Sequence, residues 1–177
     1  MKSPTAACAA SPLLPGPTAA ISLSWSLYST GGEPGQIIFS TKSKDFNIDE
    51  FAGWGGYALS DESFFRQSLE KIDTTKPFYS MLITLSSHHP YDYFGDKSDI
   101  DVKPYEKTVL GNYLGAINYV DKCIGKLIED LKKRNLYDNT LLVIYGDHYA
   151  LPKTQASDLY KLENVEPNNF NWIKLQK

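Results

Sequence analysis

Histidine and cysteine are both scarce in this chain, with three histidines and two cysteines among 177 residues. Cys8 and Cys123 lie far apart and Cys123 falls inside a predicted helix, so a structural disulfide is not expected and the redox compartment stays open. No apolar run approaches the ~20 residues needed to span a bilayer. Met1 to Ser26 holds one lysine and several prolines where an unbroken apolar stretch would mark a secretory signal, so none is expected. An excess of positive charge is also lacking. The formal net charge is -3 and the lysines are scattered among acids, which gives no basic patch for nucleic acid. Neither a Gly-x-Ser-x-Gly elbow nor a glycine-rich phosphate loop followed by Lys-Ser/Thr is present, so nucleophilic catalysis has no self-contained signature.

What is present divides near Lys42. Before it only Lys2 and Glu33 are charged, while five of the ten prolines (Pro4, Pro12, Pro15, Pro17, Pro34) cluster there with Gly16, Gly31, Gly32 and Gly35. Neither a period of 3.6 nor a period of 2 runs through Ala6 to Gly35. Residues 1–41 read as a poorly ordered arm or as sequence foreign to the fold, and residues 42–177 as one domain, long enough to bury a core. A flexible linker is the plainer reading of the arm, but its Ala, Pro and Leu are unlike a charged or Gly/Ser linker.

From Ile37 onward the pattern is orderly. Ser60 and Asp61 are N-cap candidates, and Phe65, Leu69 and Ile72 follow at helical spacing, which predicts an amphipathic helix near 61–73. Phe78 to Leu85 is almost continuously apolar and reads as a strand that ends in the polar loop Ser86-Ser87-His88-His89-Pro90. Leu110, Leu114, Ile117, Val120, Ile124, Leu127 and Leu131 predict a long helix, closed by Lys132, Lys133 and Arg134 at the negative end of its dipole and by Asn135 as a left-handed cap. The run Leu141-Leu142-Val143-Ile144-Tyr145 then reads as a strand buried on both faces. Strand, helix, strand makes a right-handed βαβ unit of an α/β fold.

All three histidines fall in loops after these strands, where open α/β sheets bind ligands. In Tyr145-Gly146-Asp147-His148-Tyr149 a carboxylate and an imidazole are adjacent, a pairing that suits Zn²⁺ or Mn²⁺ better than Ca²⁺. Gly146 would let backbone approach a ligand closely. Against this, His148 could be a structural imidazole bonding a nearby carbonyl, and Asp147 an N-cap. Of His88 and His89, one is expected to face the site and the other to pack. Gly53-Trp54-Gly55-Gly56 reads as a tight turn beside a packed Trp rather than a phosphate cradle. Tyr91, Tyr93 and Phe94 either border a substrate groove or pack on their own loop.

Lys76-Pro77-Phe78, Ile83-Thr84-Leu85-Ser86-Ser87-His88-His89-Pro90-Tyr91, Leu136-Tyr137-Asp138-Asn139-Thr140 and the Asp147-His148 block occur in an order that resembles lipoteichoic acid synthases. These are phosphoglycerol transferases of the sulfatase-like, alkaline-phosphatase superfamily. Gly53-Trp54-Gly55 with Leu59-Ser60-Asp61-Glu62-Ser63-Phe64-Phe65 is similar as well, and the resemblance runs from about Ile38 to Tyr149. It implies a partial sulfatase-like α/β domain with a mainly parallel sheet flanked by helices. It also implies metal-dependent transfer of glycerol phosphate from phosphatidylglycerol to a growing polymer through a covalent threonine intermediate. Asp147 and His148 carry over as ligands of one divalent ion, Mn²⁺ by preference with Zn²⁺ or Mg²⁺ possible, and His88 as a contact to the substrate phosphate. His89 holds a position that is often aromatic in the family. The family's catalytic domain is extracellular and membrane-anchored.

The departures are upstream. No match to the family's nucleophilic threonine, its glutamate ligand, its head-group-binding stretch or its membrane helices is found in these residues, so no catalytic residue is assigned. Cys8-Ala9-Ala10-Ser11-Pro12 fails the Cys-x-Pro-x-Arg pattern of a formylglycine site. A phosphate or sulfate ester hydrolase of the same superfamily, and a non-catalytic remnant, are the alternatives.

Overall fold

A computed structural model describes residues 46–47, 49–52, 58–92, 97–146 and 148–168. The arm at 1–41, the Gly53 to Gly56 turn, Tyr93, Phe94 and the side chain of Asp147 lie outside the described residues.

Helix α1 (Asp61–Lys71) forms where the spacing places it. The Ser60 Oγ accepts from the Ser63 amide at 3.2 Å, and Asp61 and Glu62 put negative charge in the first turn against the helix dipole. Helix α2 (Val109–Lys133) starts on Thr108, whose Oγ1 accepts from the Gly111 amide at 3.1 Å. It ends in a Schellman motif: Asn135 turns left-handed at φ 57, its amide donates to the Lys132 carbonyl, and the Leu136 amide reaches the Leu131 carbonyl. Gly111 has a second duty, because a Cβ there would sit 2.1 Å from the Tyr105 carbonyl oxygen.

The buried face of α2 differs from the expected stripe. Leu110, Leu127 and Leu131 are buried as expected, but Ile117 is 40% exposed, and the buried row between them runs through Gly111, Gly115, Tyr119 and Cys123 at intervals of four. Small residues let a neighbouring segment come close, and counting apolar side chains overlooks them. Burial pushes the Cys123 thiol up to about 11, so it packs as an inert hydrophobe.

Two clusters result. In the first, Phe64, Phe65 and Leu69 of α1, Ile72 just after it, Leu59 of the short strand before it, and Phe46 pack on Tyr119, Cys123, Leu127 and Leu131. In the second, Tyr91 and Leu151 pack on Leu110 and Ala116 near the start of α2. A short helix, α3 (Ser157–Leu162), follows.

The expected parallel sheet does not appear among the described residues. The ladder found there is antiparallel and short, with β1 (Phe51–Ala52) paired to β2 (Ala58–Leu59). Phe78 to Leu85 forms no regular secondary structure, with Phe78, Leu82 and Leu85 leaning on the first cluster. Leu141 to Tyr145 forms no regular secondary structure either and is not the expected buried strand: Leu141 is 90% exposed and Tyr145 67%. The apolar content of this run is as expected, but no described strand lies against it to cover it.

Core mutations discriminate between these assignments. Phe64→Ala, at a side chain 2% exposed, should lower the unfolding free energy by ~3–5 kcal/mol in urea titration. Leu141→Ala should stay within ~0.5 kcal/mol. The reverse order would place Leu141 in the core.

Candidate functional site

The two histidine loops meet at one rim. The turn after Phe78–Leu85 closes when the His88 amide donates to the Leu85 carbonyl at 3.0 Å, and the Tyr91 amide donates back to the His88 carbonyl at 3.0 Å. Tyr91 sits at φ 66, a conformation costly for a bulky side chain by roughly 1–3 kcal/mol. Its surroundings hold it there. The ring is 4% exposed and meets the Tyr113 ring edge-on at 5.2 Å, and its hydroxyl donates to the Ala150 carbonyl. Tyr91 thereby fastens the His88 turn to the segment just after Asp147-His148. His89 adds a second tie, with Nε2 donating to Gln155 Oε1 at 3.1 Å.

These contacts separate the two neighbouring histidines. His89 packs edge-on against Tyr91 at 5.6 Å and spends its Nε2 proton on Gln155. The His88 Nδ1 donates to the His89 carbonyl at 2.8 Å, and the His148 Nδ1 donates to the Tyr149 carbonyl at 2.9 Å. A carbonyl only accepts, so in the neutral imidazole each of these two rings has its lone pair on Nε2, the arrangement of many metal-bound histidines, whereas contact with a phosphate oxygen needs a proton on Nε2 as well. The carbonyl bond is also what a purely structural His148 would make. Both histidines are exposed. A Cβ at Gly146 would meet nothing within 4 Å, so the space beside Gly146 is open among the described residues.

No group of three or more His, Cys, Asp or Glu is placed to hold a metal among the described residues. Since Asp147 is outside them, the ligand set expected from the sequence reduces here to His148. No helix among the described residues is long and apolar enough to cross a membrane.

Two carboxylates behind the rim were not singled out as site residues. Glu50 accepts from the hydroxyl of the cap residue Ser60 and from the Lys97 ammonium. Burial works to raise its carboxyl, but these bonds outweigh burial and hold it below the usual glutamate value. Asp61 is wholly buried. Burial raises its carboxyl, and hydrogen bonds from Ser86 and Leu85 oppose the rise only in part. From sequence, Asp61 looks like any acid in a first helical turn.

Comparison with known proteins places this geometry. The sulfatase family model matches residues 26–170, starting inside the segment read as an arm. Lipoteichoic acid synthase of Staphylococcus saprophyticus is 30% identical over 75% of this chain and 24% of its own length. The corresponding protein of Staphylococcus aureus strain USA300 is 32% identical over the same shares. The crystal structure of the lipoteichoic acid synthase LtaP from Listeria monocytogenes superposes with a TM-score of 0.57 at 33% identity, over 66% of this chain and 29% of that one. This chain therefore spans about a quarter of the length of the curated relatives it matches.

The carboxylates have opposite effects on acid stability. Glu50 has a lowered folded-state value, so its stabilisation is full above the ordinary 4.5 and is lost as pH falls through the folded value. Asp61 has a raised value, so its contribution is greatest below the ordinary 3.8 and is lost as pH rises through the folded value. In urea titrations between about pH 3 and 7, Glu50→Gln should flatten the loss of stability on acidification. An acid limb as steep as that of the unaltered chain would show that the Lys97 and Ser60 bonds contribute nothing.

Proposed function

Since this chain belongs to the sulfatase family, we propose that it is part of a lipoteichoic acid synthase-like phosphoglycerol transferase and carries one side of the metal and phosphate site. The supporting observation is the paired orientation of His88 and His148, each with Nδ1 bonded to a main-chain carbonyl, on loops joined through Tyr91 and Ala150.

In this reading Asp147 and His148 hold one divalent ion, with Mn²⁺ preferred and Zn²⁺ or Mg²⁺ as substitutes. The fixed tautomer of His148 fits a nitrogen ligand. When bound, such an ion polarises phosphoryl oxygens and lowers the pKa of an attacking hydroxyl. His88 meets the phosphate of a phosphatidylglycerol head group with a proton on Nε2 in addition to the one that Nδ1 donates to the His89 carbonyl, because a phosphate oxygen only accepts. The glycerol-phosphate polymer would be the acceptor. The nucleophile and the remaining ligands correspond to parts of the relatives that these residues do not match, so the chain by itself binds but does not complete the transfer.

Calorimetry of the chain with Mn²⁺ should give weak binding, abolished by Asp147→Ala, because affinity rests on ligand number and preorganised geometry. Submicromolar binding would mean that further ligands lie within this chain. The same preparation should release no diacylglycerol from phosphatidylglycerol. Metal-dependent release that disappears in His148→Ala would make the chain a self-sufficient enzyme and overturn the reading.

A further inference from the structure

Asp61 is a larger investment than a helix start requires. Ser60 already caps α1, since its Oγ accepts from the Ser63 amide. Asp61, one residue on, turns its carboxylate away from its own helix. Its Oδ1 accepts from the backbone amides of Leu85 at 3.1 Å and Ser86 at 2.9 Å, and the Asp61 amide donates to Ser86 Oγ at 2.9 Å. The two segments are thus laced by three bonds running in both directions. Asp61 is 0% exposed, and its Oδ2 makes no hydrogen bond of good geometry, although the nearby Thr84 hydroxyl favours the charged form. Burying a carboxylate with one poorly satisfied oxygen costs several kcal/mol relative to a small neutral side chain. Seating α1 on the first cluster does not need it, because Phe64, Phe65 and Leu69 supply that burial.

The bonds to Leu85 suggest what the carboxylate does. The Leu85 amide is held by Asp61, and the carbonyl of the same residue accepts the His88 amide. The backbone of His88 is therefore two hydrogen bonds and one residue removed from a fixed carboxylate at the start of α1. We propose that Asp61 is the positioning residue for His88, setting the height and direction of the Ser86-Ser87-His88 turn relative to the helices. What His88 then touches rests on the function proposed above. That Asp61 holds the turn does not.

With three histidines in the chain, each ring CH signal can be assigned by single substitution in NMR spectra of the full chain. In Asp61→Ala the His88 ring signal and the Ser86 and Ser87 amides should move toward their positions in urea, while the amides of Cys123 and Leu131 stay in place. Asp61→Asn keeps an oxygen that can accept both amides and should retain the His88 signal. Should Asp61→Ala fail to fold, Ser86→Ala removes the contacts of the serine hydroxyl with Asp61, leaves the two main-chain bonds, and should shift His88 in the same direction. An unmoved His88 in Asp61→Ala, or in Ser86→Ala where only that variant folds, overturns the proposal. So does movement of Cys123 and Leu131 as large as that of His88, which would make Asp61 a general stabiliser. Titration with sn-glycerol 3-phosphate separates the two claims. If His88 of the unaltered chain does not respond, the phosphate-contact reading fails while the variant spectra still decide the positioning role.

Discussion

Everything described here hangs on the packing of α1 across the C-terminal half of α2. Phe64, Phe65 and Leu69 meet Tyr119, Cys123, Leu127 and Leu131, and burial at ~25 cal/mol per Å² makes this cluster the main cohesive term. It fixes where the first turn of α1 lies, and the Ser86 turn is bonded to that first turn. The other half of α2 seats Tyr91 and Leu151, and so places the segment after His148. One helix of 25 residues, about 37 Å long at 1.5 Å per residue, thus sets both histidine loops from two stations along its length.

The helices were legible because their signals are local. Ser60 capped α1 and Asn135 took the left-handed conformation, as short-range rules expect. Which face of α2 turns inward was less legible. Ile117 has the right spacing and residue type but is exposed, whereas Gly115 and Ala116 are buried, because close approach of a neighbour depends on shape rather than on hydrophobicity. The strands were not legible. Apolar runs marked Phe78 to Leu85 and Leu141 to Tyr145 as strands, but neither is a strand among the described residues: the first leans on the core through Phe78, Leu82 and Leu85, and the second is exposed. Pairing is a property of two segments, and a run of Leu, Val and Ile states a preference for burial without naming its partner.

The candidate site shows the same division. His88 and His148 were expected on one edge of a parallel sheet, but no such sheet appears among the described residues, and side-chain contacts bring their loops together instead. The tie between those loops was not legible. It depends on the Tyr91 backbone at positive φ and on a hydroxyl reaching Ala150, neither of which leaves a pattern in composition or period. Asp61 was hidden for another reason. It sits next to the true cap, and a shift of one residue around the helix decides whether a carboxylate bonds its own amides or those of another segment.

These ties bear on how a sulfatase-family site can keep its form while the apolar segments leading to it stay exposed. In an open α/β fold the loops are usually placed by the strands they follow. Here Val143 and Ile144 are 66% and 59% exposed, so the segment leading to His148 has little packing of its own to aim it. The loops are anchored sideways instead, by Asp61 to the start of α1 and by Tyr91 and Leu151 to the start of α2. Such anchoring makes the orientation of His88 and of the segment after His148 depend on helix packing more than on sheet completion. In the proposed function the ligands Asp147 and His148 would still have to converge with others across that rim, and convergence, unlike orientation, requires partners that cover the exposed apolar segment.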